Sequence, residues 1–201
     1  MASCSSLFIT AKNADVKLVN RLLLTLRDWE FGEEPSWDNF ALPPLQEFSQ
    51  NEWEGATIEE IETVILATDR EKESAHGKVN GPNNLLLFLV LDDQGVTDRT
   101  VILFERAIGD ADGGDAEAID FPARFNKLRT PWTNAYTDWC NLDIANIGFS
   151  EMCDYDGADK GKSETDGVWW TYMNAVGEIT SDENKKKRDA VIKELGSLGL
   201  A

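Results

Sequence analysis

The longest apolar run of the chain, LLLFLVL at Leu85–Leu91, limits most strongly what the chain can fold into. A membrane-spanning helix needs roughly 18 or more apolar residues, so this run is too short to cross a bilayer. A continuous apolar run of this length is typical of a strand whose two faces are both covered. A second apolar segment, Thr100–Phe104, follows after the short polar turn Asp92–Gly95, which predicts an antiparallel hairpin.

The first 26 residues predict a strand followed by a helix. The segment LFIT at Leu7–Thr10 is strand-like, and Asn13 is a suitable N-cap for a helix with Asp15 in its first turn. Apolar residues then recur at helical spacing at Val16, Val19, Leu22, Leu23 and Leu26. A strand–helix opening favours an α/β fold, with α+β as the open alternative. We expect one domain over residues 1–180, with a central mixed sheet of about five strands, flanking helices and long acidic loops, and a C-terminal docking helix or tail over 181–201.

Later segments predict further elements. Thr57 and Glu60 fit a capping box at the start of a helix. That helix is expected to be short, because Thr63–Thr68 (TVILAT) has the composition of a buried strand, which would end at Asp69. The segment VWWTYM at Val168–Met173 predicts a final strand with its two tryptophans on opposite faces.

Three stretches have the composition of insertions, near residues 29–55, 70–84 and 109–135. The first is rich in tryptophan, phenylalanine and acidic residues, and its prolines interrupt both helical and strand periodicity. The other two are long connections that contain glycine and proline. We expect all three to be largely irregular.

The charge of the chain restricts its partners. With 37 acidic and 19 basic residues, the formal net charge is −18. A field of that sign repels nucleic acid and anionic membrane surfaces and favours a basic protein partner, although solubility is the simpler explanation. The N-terminal sequence has no secretory pattern, and Cys4, Cys140 and Cys153 do not have the spacing of zinc ligands. We therefore expect a cytoplasmic protein with reduced cysteines, two of them small core residues.

The sequence contains no pattern for a metal or a cofactor. The single histidine, His76, rules out a multi-histidine centre and has no nucleophile motif beside it. The acidic stretches that start at Asp110 and Asp154 fail the EF-hand pattern, because neither has glycine at the sixth position. We expect no cofactor, no metal and solvated acidic loops, with a weak cation site as the alternative for those loops.

Paired carboxylates are the remaining route to catalysis. Asp69 and Asp92 are the weak catalytic candidates, because each directly follows a predicted strand. Ligands of open α/β sheets collect at the carboxyl ends of the strands. The simpler interpretation is that each acid ends a strand and caps the next turn.

The segment WCNLDIANIGF at Trp139–Phe149 predicts a shaped turn. Asn141 and Asn146 favour caps and turns over the interior of an element. Three apolar residues of the segment are expected to face the core: Leu142, Ile144 and Ile147. We therefore interpret the two asparagines as hydrogen-bonded braces of a strand-to-helix turn before Phe149, with a ligand role only if a pocket opens beside it.

The phrase NLDIANIGF and the order of the apolar blocks before it carry a resemblance. Together they resemble a family of small acidic α/β proteins from actinobacteria and fungi, known as a domain of unknown function. The similarity covers scattered blocks between residues 7 and 153 and is specific in that phrase alone. The resemblance implies an α/β fold and no particular activity.

Two functions remain open. The first is an acidic interaction module that binds a basic protein partner, with binding residues at Trp37, Trp53, Trp139, Asn141, Asn146 and Trp170. The second is a metal-free enzyme of the isomerase or cyclase type, with a small-molecule pocket near Asp69, Asp92 and Asn146. An enzyme predicts an enclosed pocket beside a carboxylate of raised pKa, whereas a module predicts an accessible aromatic surface ringed by acids.

Overall fold

The apolar run Leu85–Leu91 lies in an interior strand of the sheet. In the computed structural model it belongs to strand β2, Asn83–Leu91, and its described side chains are buried on both faces. The structure describes residues 4–30, 45–48, 51–74, 83–107, 124–154, 167–173 and 178–201. Coverage of both faces, predicted from the uniform composition, is confirmed over Leu87–Leu91.

The described strands form one mixed sheet with the order β1-β2-β3-β4-β6-β5. They are β1 (Cys4–Ile9), β2 (Asn83–Leu91), β3 (Thr100–Ala107), β4 (Arg124–Pro131), β5 (Cys153–Asp154) and β6 (Trp169–Tyr172). The pairs β1/β2 and β4/β6 are parallel and the others are antiparallel, so the predicted β2/β3 hairpin is confirmed. Five strands make the main sheet, as predicted, and the two-residue β5 extends its edge.

Helices cover both faces of this sheet, which confirms the α/β class. The described helices are α1 (Val16–Leu26), α2 (Ile58–Ser74), α3 (Asp93–Asp98), α4 (Trp132–Asp143), α5 (Phe149–Met152) and α6 (Asp182–Ser197). Helices α1, α4 and α5 pack on the face that carries Leu89, and α2 packs on the face that carries Phe88. Helix α6 contacts α1 from outside.

The strand predicted at Thr63–Thr68 is wrong, because these residues lie inside helix α2. The buried residues Ile61 and Ile65 are four apart, so one helical stripe faces the sheet, while Val64 is 43% exposed. The helix continues past Asp69 to Ser74, so Asp69 does not end a strand and residues 70–74 are not a loop.

The irregular connection predicted over 109–135 is also wrong in its second half. Residues 124–131 form β4, and α4 begins at Trp132. Strand β4 is hard to recognise in the sequence because buried polar residues, Asn126 and Thr130, alternate with charged ones. Residues 108–123 lie outside the described part of the chain.

Two local predictions need a smaller correction. The N-cap of α1 is Asp15 and not Asn13, because the Asp15 carboxylate accepts a hydrogen bond from the Leu18 N–H at 2.8 Å. The predicted turn at Asp92–Gly95 is the start of the short helix α3, with Asp92 as its N-cap.

The turn in WCNLDIANIGF joins two helices, so the predicted strand-to-helix turn is wrong. Asn141 lies in the last turn of α4, and its Oδ1 accepts a hydrogen bond from Asn146 Nδ2 at 2.8 Å. Asn141 also donates to the Thr137 carbonyl at 2.9 Å, so the two asparagines do brace the turn. Leu142 is buried, but Ile144 is 70% exposed and does not face the core.

Candidate functional site

A groove of about 670 Å³ lies between the turn at residues 51–56 and the first two turns of α2. Its charged lining consists of Glu52, Glu54, Glu59 and Glu60, and its aromatic lining is Trp53. All four glutamates are exposed, whereas the tryptophan is half-buried. We call this the acidic groove.

The turn that forms one wall of the acidic groove is fixed to the end of β1. Asn51 Nδ2 donates to the Ile9 carbonyl at 2.5 Å, and the Gly55 N–H donates to the Thr10 carbonyl at 2.8 Å. Gly55 has a φ of +76°, a left-handed conformation that costs glycine little. The acidic groove therefore lies at the carboxyl end of β1, the edge where ligands collect in open α/β sheets.

The other wall of the acidic groove is the N-terminus of α2, where the predicted capping box is confirmed. The Glu60 N–H donates to Thr57 Oγ1 at 3.2 Å, and the Thr57 N–H donates to Glu60 Oε2 at 2.8 Å. This exchange satisfies two backbone donors that the helix leaves unpaired. The Glu60 carboxylate is therefore engaged in the capping box, whereas the Glu59 carboxylate remains available to a ligand.

Trp53 connects the acidic groove to the hydrophobic core. Its ring packs edge-on against Phe8, with centroids 5.1 Å apart and an interplanar angle of 87°. Phe8 in turn packs against Phe88 of strand β2, with centroids 5.5 Å apart. A ring held in this way has little freedom to lose on binding, which makes it a suitable anchor.

The acidic groove is strongly anionic. Among the described residues, no basic side chain lines it, and Lys12 approaches it only beside Gly55. Four carboxylates around one aromatic ring favour a cation by Coulomb attraction and by contact with the ring face. Because the whole chain carries −18, this attraction is reinforced from a distance.

The predicted catalytic residue Asp92 is engaged in holding the fold. Its carboxylate accepts two hydrogen bonds from the Arg129 guanidinium, at 2.6 and 2.9 Å, and one from the Gly95 N–H at 2.7 Å. Burial alone raises the pKa of Asp92, but the bonds from Arg129 and Gly95 outweigh it and lower that pKa below its usual value. Asp92 is therefore an ionised cap and ion-pair partner.

The other two predicted enzyme residues lie in elements separate from the one that Asp92 caps. Asp69 lies in α2, and Asn146 is exposed in the turn after α4, on the other side of the sheet. Asp92 and Asn146 line neither the acidic groove nor a second cavity of about 810 Å³ on the other side of the sheet. Their catalytic role stays a prediction.

The predicted tryptophan anchors lie in different environments. Trp139 and Trp170 are buried, and Trp170 Nε1 donates to Asn126 Oδ1 at 2.9 Å. Trp37 and His76 lie outside the described residues. Trp53 is thus the predicted anchor that lines a groove, and Trp169, on the opposite face of β6 from Trp170, is 42% exposed.

A buried polar cluster was missed by the sequence analysis. Asp138 is fully buried and accepts hydrogen bonds from Thr130 Oγ1 at 2.6 Å and from the Tyr172 hydroxyl at 3.3 Å. Asn134 Nδ2 donates to that same hydroxyl at 3.0 Å. Burial raises the pKa of Asp138, although both hydroxyls act in the opposite direction. The cluster lines neither main cavity, so it joins β4, α4 and β6 as a structural brace.

Searches for other kinds of site gave negative results within the described residues. No group of three or more histidine, cysteine or acidic side chains there is arranged to hold a metal ion. None of the helices in that part of the chain combines the length and the apolar character that a bilayer crossing requires. Cys140 is half-buried and Cys153 is buried, and neither forms a disulfide within the described residues.

The chain matches no known family model, and neither a curated protein nor a solved structure shows significant similarity to it. The resemblance drawn from the NLDIANIGF phrase therefore stays a prediction.

Proposed function

We propose that the protein is an acidic interaction module that binds a basic segment of a protein partner in the acidic groove. The observation that carries the proposal is the placement of Trp53, whose half-buried ring lies among four exposed glutamates. A lysine or arginine side chain could lie over this ring while its charge meets the carboxylates. Neighbouring basic residues of the same segment would then pair with Glu52, Glu54 and Glu59.

The size of the acidic groove suits a segment better than a whole domain. A volume of about 670 Å³ accommodates a few side chains. The rigid support of the groove, from β1 on one side and the capping box on the other, reduces the ordering cost of binding. We also infer a cytoplasmic location, since neither Cys140 nor Cys153 forms a disulfide within the described residues.

The enzyme alternative has weaker support. Asp92 is paired with Arg129, and Asp69 lies in a helix rather than at a strand end. Asp138, a fully buried carboxylate of raised pKa, is enclosed by the hydroxyl groups of Thr130 and Tyr172. The acidic groove is therefore the better-supported site.

Binding of labelled peptides, followed by fluorescence anisotropy, tests the proposal. The probes are a ten-residue peptide of alternating lysine and serine and the matched peptide with glutamine in place of lysine. We expect the lysine peptide to bind one site and to weaken as salt rises, because its contacts are largely ionic. We expect the glutamine peptide to bind at least tenfold more weakly.

A pair of charge-matched variants separates the acidic groove from the general negative field. The groove variant is Glu52→Gln/Glu54→Gln/Glu59→Gln, and the control variant is Glu47→Gln/Glu183→Gln/Glu194→Gln, at exposed positions that do not line the groove. Three exposed ion pairs at about 0.5 kcal/mol each amount to about 1.5 kcal/mol, or roughly a tenfold loss of affinity. Equal losses in the two variants, or no binding of the lysine peptide, would overturn the proposal.

A further inference from the structure

A second cavity, of about 810 Å³, lies on the other side of the sheet between α1, α3, the start of α4 and α6. Four basic side chains line it: Lys17, Arg21, Arg99 and Arg188. This concentration is unexpected in a chain with twice as many acidic as basic residues. We call this the basic cavity.

Three of these cations are left without an anionic partner in the part of the chain that the structure describes. Lys17, Arg21 and Arg99 form no salt bridge there, whereas Arg188 pairs with Glu178 at 2.7 Å. Lys17 and Arg21 are four residues apart on α1, a spacing at which like charges repel and destabilise a helix. An anion bound between them would remove that repulsion.

The acidic residues that line the basic cavity are already engaged. The Asp15 carboxylate caps α1 through the Leu18 N–H at 2.8 Å, and Asp98 accepts a hydrogen bond from Gln94 at 3.1 Å. Asp189 lies 3.6 Å from the Arg188 guanidinium. Because a hydrogen-bonded carboxylate keeps its charge, the lining carries four positive and three negative charges, a net charge of +1.

Apolar side chains form part of the remaining walls of the basic cavity, together with Thr25, Thr97 and Thr133. Trp132 is almost fully buried, and its Nε1 donates to the Thr100 carbonyl at 2.9 Å, so its ring is fixed in place. Leu18, Val96 and Ile192 add aliphatic surface. A ligand that fits has an anionic group and an apolar part, which distinguishes it from a free inorganic ion.

We propose that the basic cavity binds a small organic phosphate, independently of the peptide site. Two arginines and a lysine match the geometry and charge of a phosphate dianion better than those of a single carboxylate. The dipole of α4, which begins at the cavity wall, adds positive potential to that supplied by the side chains. The bound phosphate would contact Lys17, Arg21 and Arg99, and its carbon skeleton would face Trp132.

Calorimetric titration of the full chain with phenyl phosphate tests the proposal. Inorganic phosphate and benzoate are the comparison ligands, one without the apolar ring and the other with a carboxylate. We expect one site per chain and affinity for phenyl phosphate at least tenfold above that for either comparison ligand. No heat of binding up to about 10 mM phenyl phosphate would overturn the proposal, as would equal affinity for benzoate or for inorganic phosphate.

Two variants of equal charge locate the site. Lys17→Gln/Arg21→Gln removes two cations of the basic cavity, and Lys186→Gln/Lys193→Gln removes two exposed cations of α6 that do not line it. Glutamine keeps a similar helix propensity, so both variants should fold. We expect about a tenfold loss of affinity in the first and none in the second, and equal behaviour of the two would overturn the assignment. Arg99→Asn, which suits the left-handed backbone at φ 55°, should weaken binding as well.

Discussion

Two aspartates of the α3 and α4 regions lie in opposite electrostatic environments. Asp138 is fully buried, and burial raises its pKa above the usual 3.8. Asp92 is buried only in part, and the bonds from Arg129 and Gly95 lower its pKa below 3.8 in spite of the burial that raises it. A raised carboxyl pKa gives stability that is lost as pH rises, whereas a lowered one gives stability that is lost as pH falls.

The variant Asp138→Asn tests the first of these environments. Below pH 3.8 the neutral carboxyl group contributes fully, and its contribution is lost as pH rises from 3.8 through the higher folded-state pKa. We expect Asp138→Asn to cost about 1–3 kcal/mol of unfolding free energy near pH 5, because an acceptor for Thr130 or Tyr172 is lost. The cost should shrink towards pH 8, as measured by urea unfolding at both pH values.

Asp92→Asn is the matched control, with the opposite trend. The charge pair with Arg129 is lost, while asparagine still caps α3, so its cost should shrink as pH falls through the lowered pKa of Asp92. A cost of Asp138→Asn that grows between pH 5 and pH 8 would contradict the assignment, as would a cost of Asp92→Asn that shrinks over the same range, because the pKa of Asp92 lies below 3.8.

At the scale of secondary structure, α2 is the element whose identity the local sequence misrepresents. Its TVILAT segment is rich in β-branched residues, which fit strands well, yet the capping box before it starts a helix that continues to Ser74. Tertiary packing favours the helix over the strand, because Ile61 and Ile65 lie on one face of the helix and are buried with Phe88 and Phe104.

Truncations along α2 test this assignment. Ile61→Ala should cost about 2–5 kcal/mol of unfolding free energy, because the side chain is fully buried. Val64→Ala should change it by less than about 0.5 kcal/mol, because Val64 is exposed and alanine favours a helix. If this segment were a strand covered on both faces, Ile61→Ala and Val64→Ala would both be destabilising. Equal large losses of unfolding free energy, measured by thermal or urea unfolding, would therefore contradict the helix.

Strands β2 and β3 were predictable because their apolar composition is nearly uniform. Short, continuous apolar segments such as Leu85–Leu91 and Thr100–Phe104 are typical of buried strands. Strand β4 and helix α4 were missed because their core-facing positions include Asn126, Thr130 and Asp138. Those polar groups are tolerated only because partners distant in sequence, such as Tyr172, complete their hydrogen bonds. No local pattern reveals such a partner.

The sequence predicts individual features of the acidic groove but not the way they come together. Trp53 and the Thr57 capping box are recognisable in the sequence, and both now line or support the groove. Their convergence depends on Asn51 reaching the Ile9 carbonyl, a contact between residues 42 positions apart. A long-range contact of this kind follows from the sheet and not from the segment that contains Asn51.

At the scale of the whole molecule, two sites of opposite charge lie on opposite sides of the sheet. The acidic groove lies beside α2, on the Phe88 face, and the basic cavity lies among α1, α3, α4 and α6 on the other. The net charge of −18 reinforces the first site and opposes the second. Binding at the basic cavity therefore depends on local contacts with Lys17, Arg21 and Arg99.

The position of a bound basic peptide tests the role of the acidic groove most directly. On the isotopically labelled full chain, amide and indole NMR shifts are recorded while the lysine peptide is added. We predict that the largest shift changes occur at the Trp53 indole N–H and at the amides of residues 52–64, which form the groove. Changes confined to another surface, or spread evenly over the acidic side chains of the molecule, would contradict a peptide site in the acidic groove.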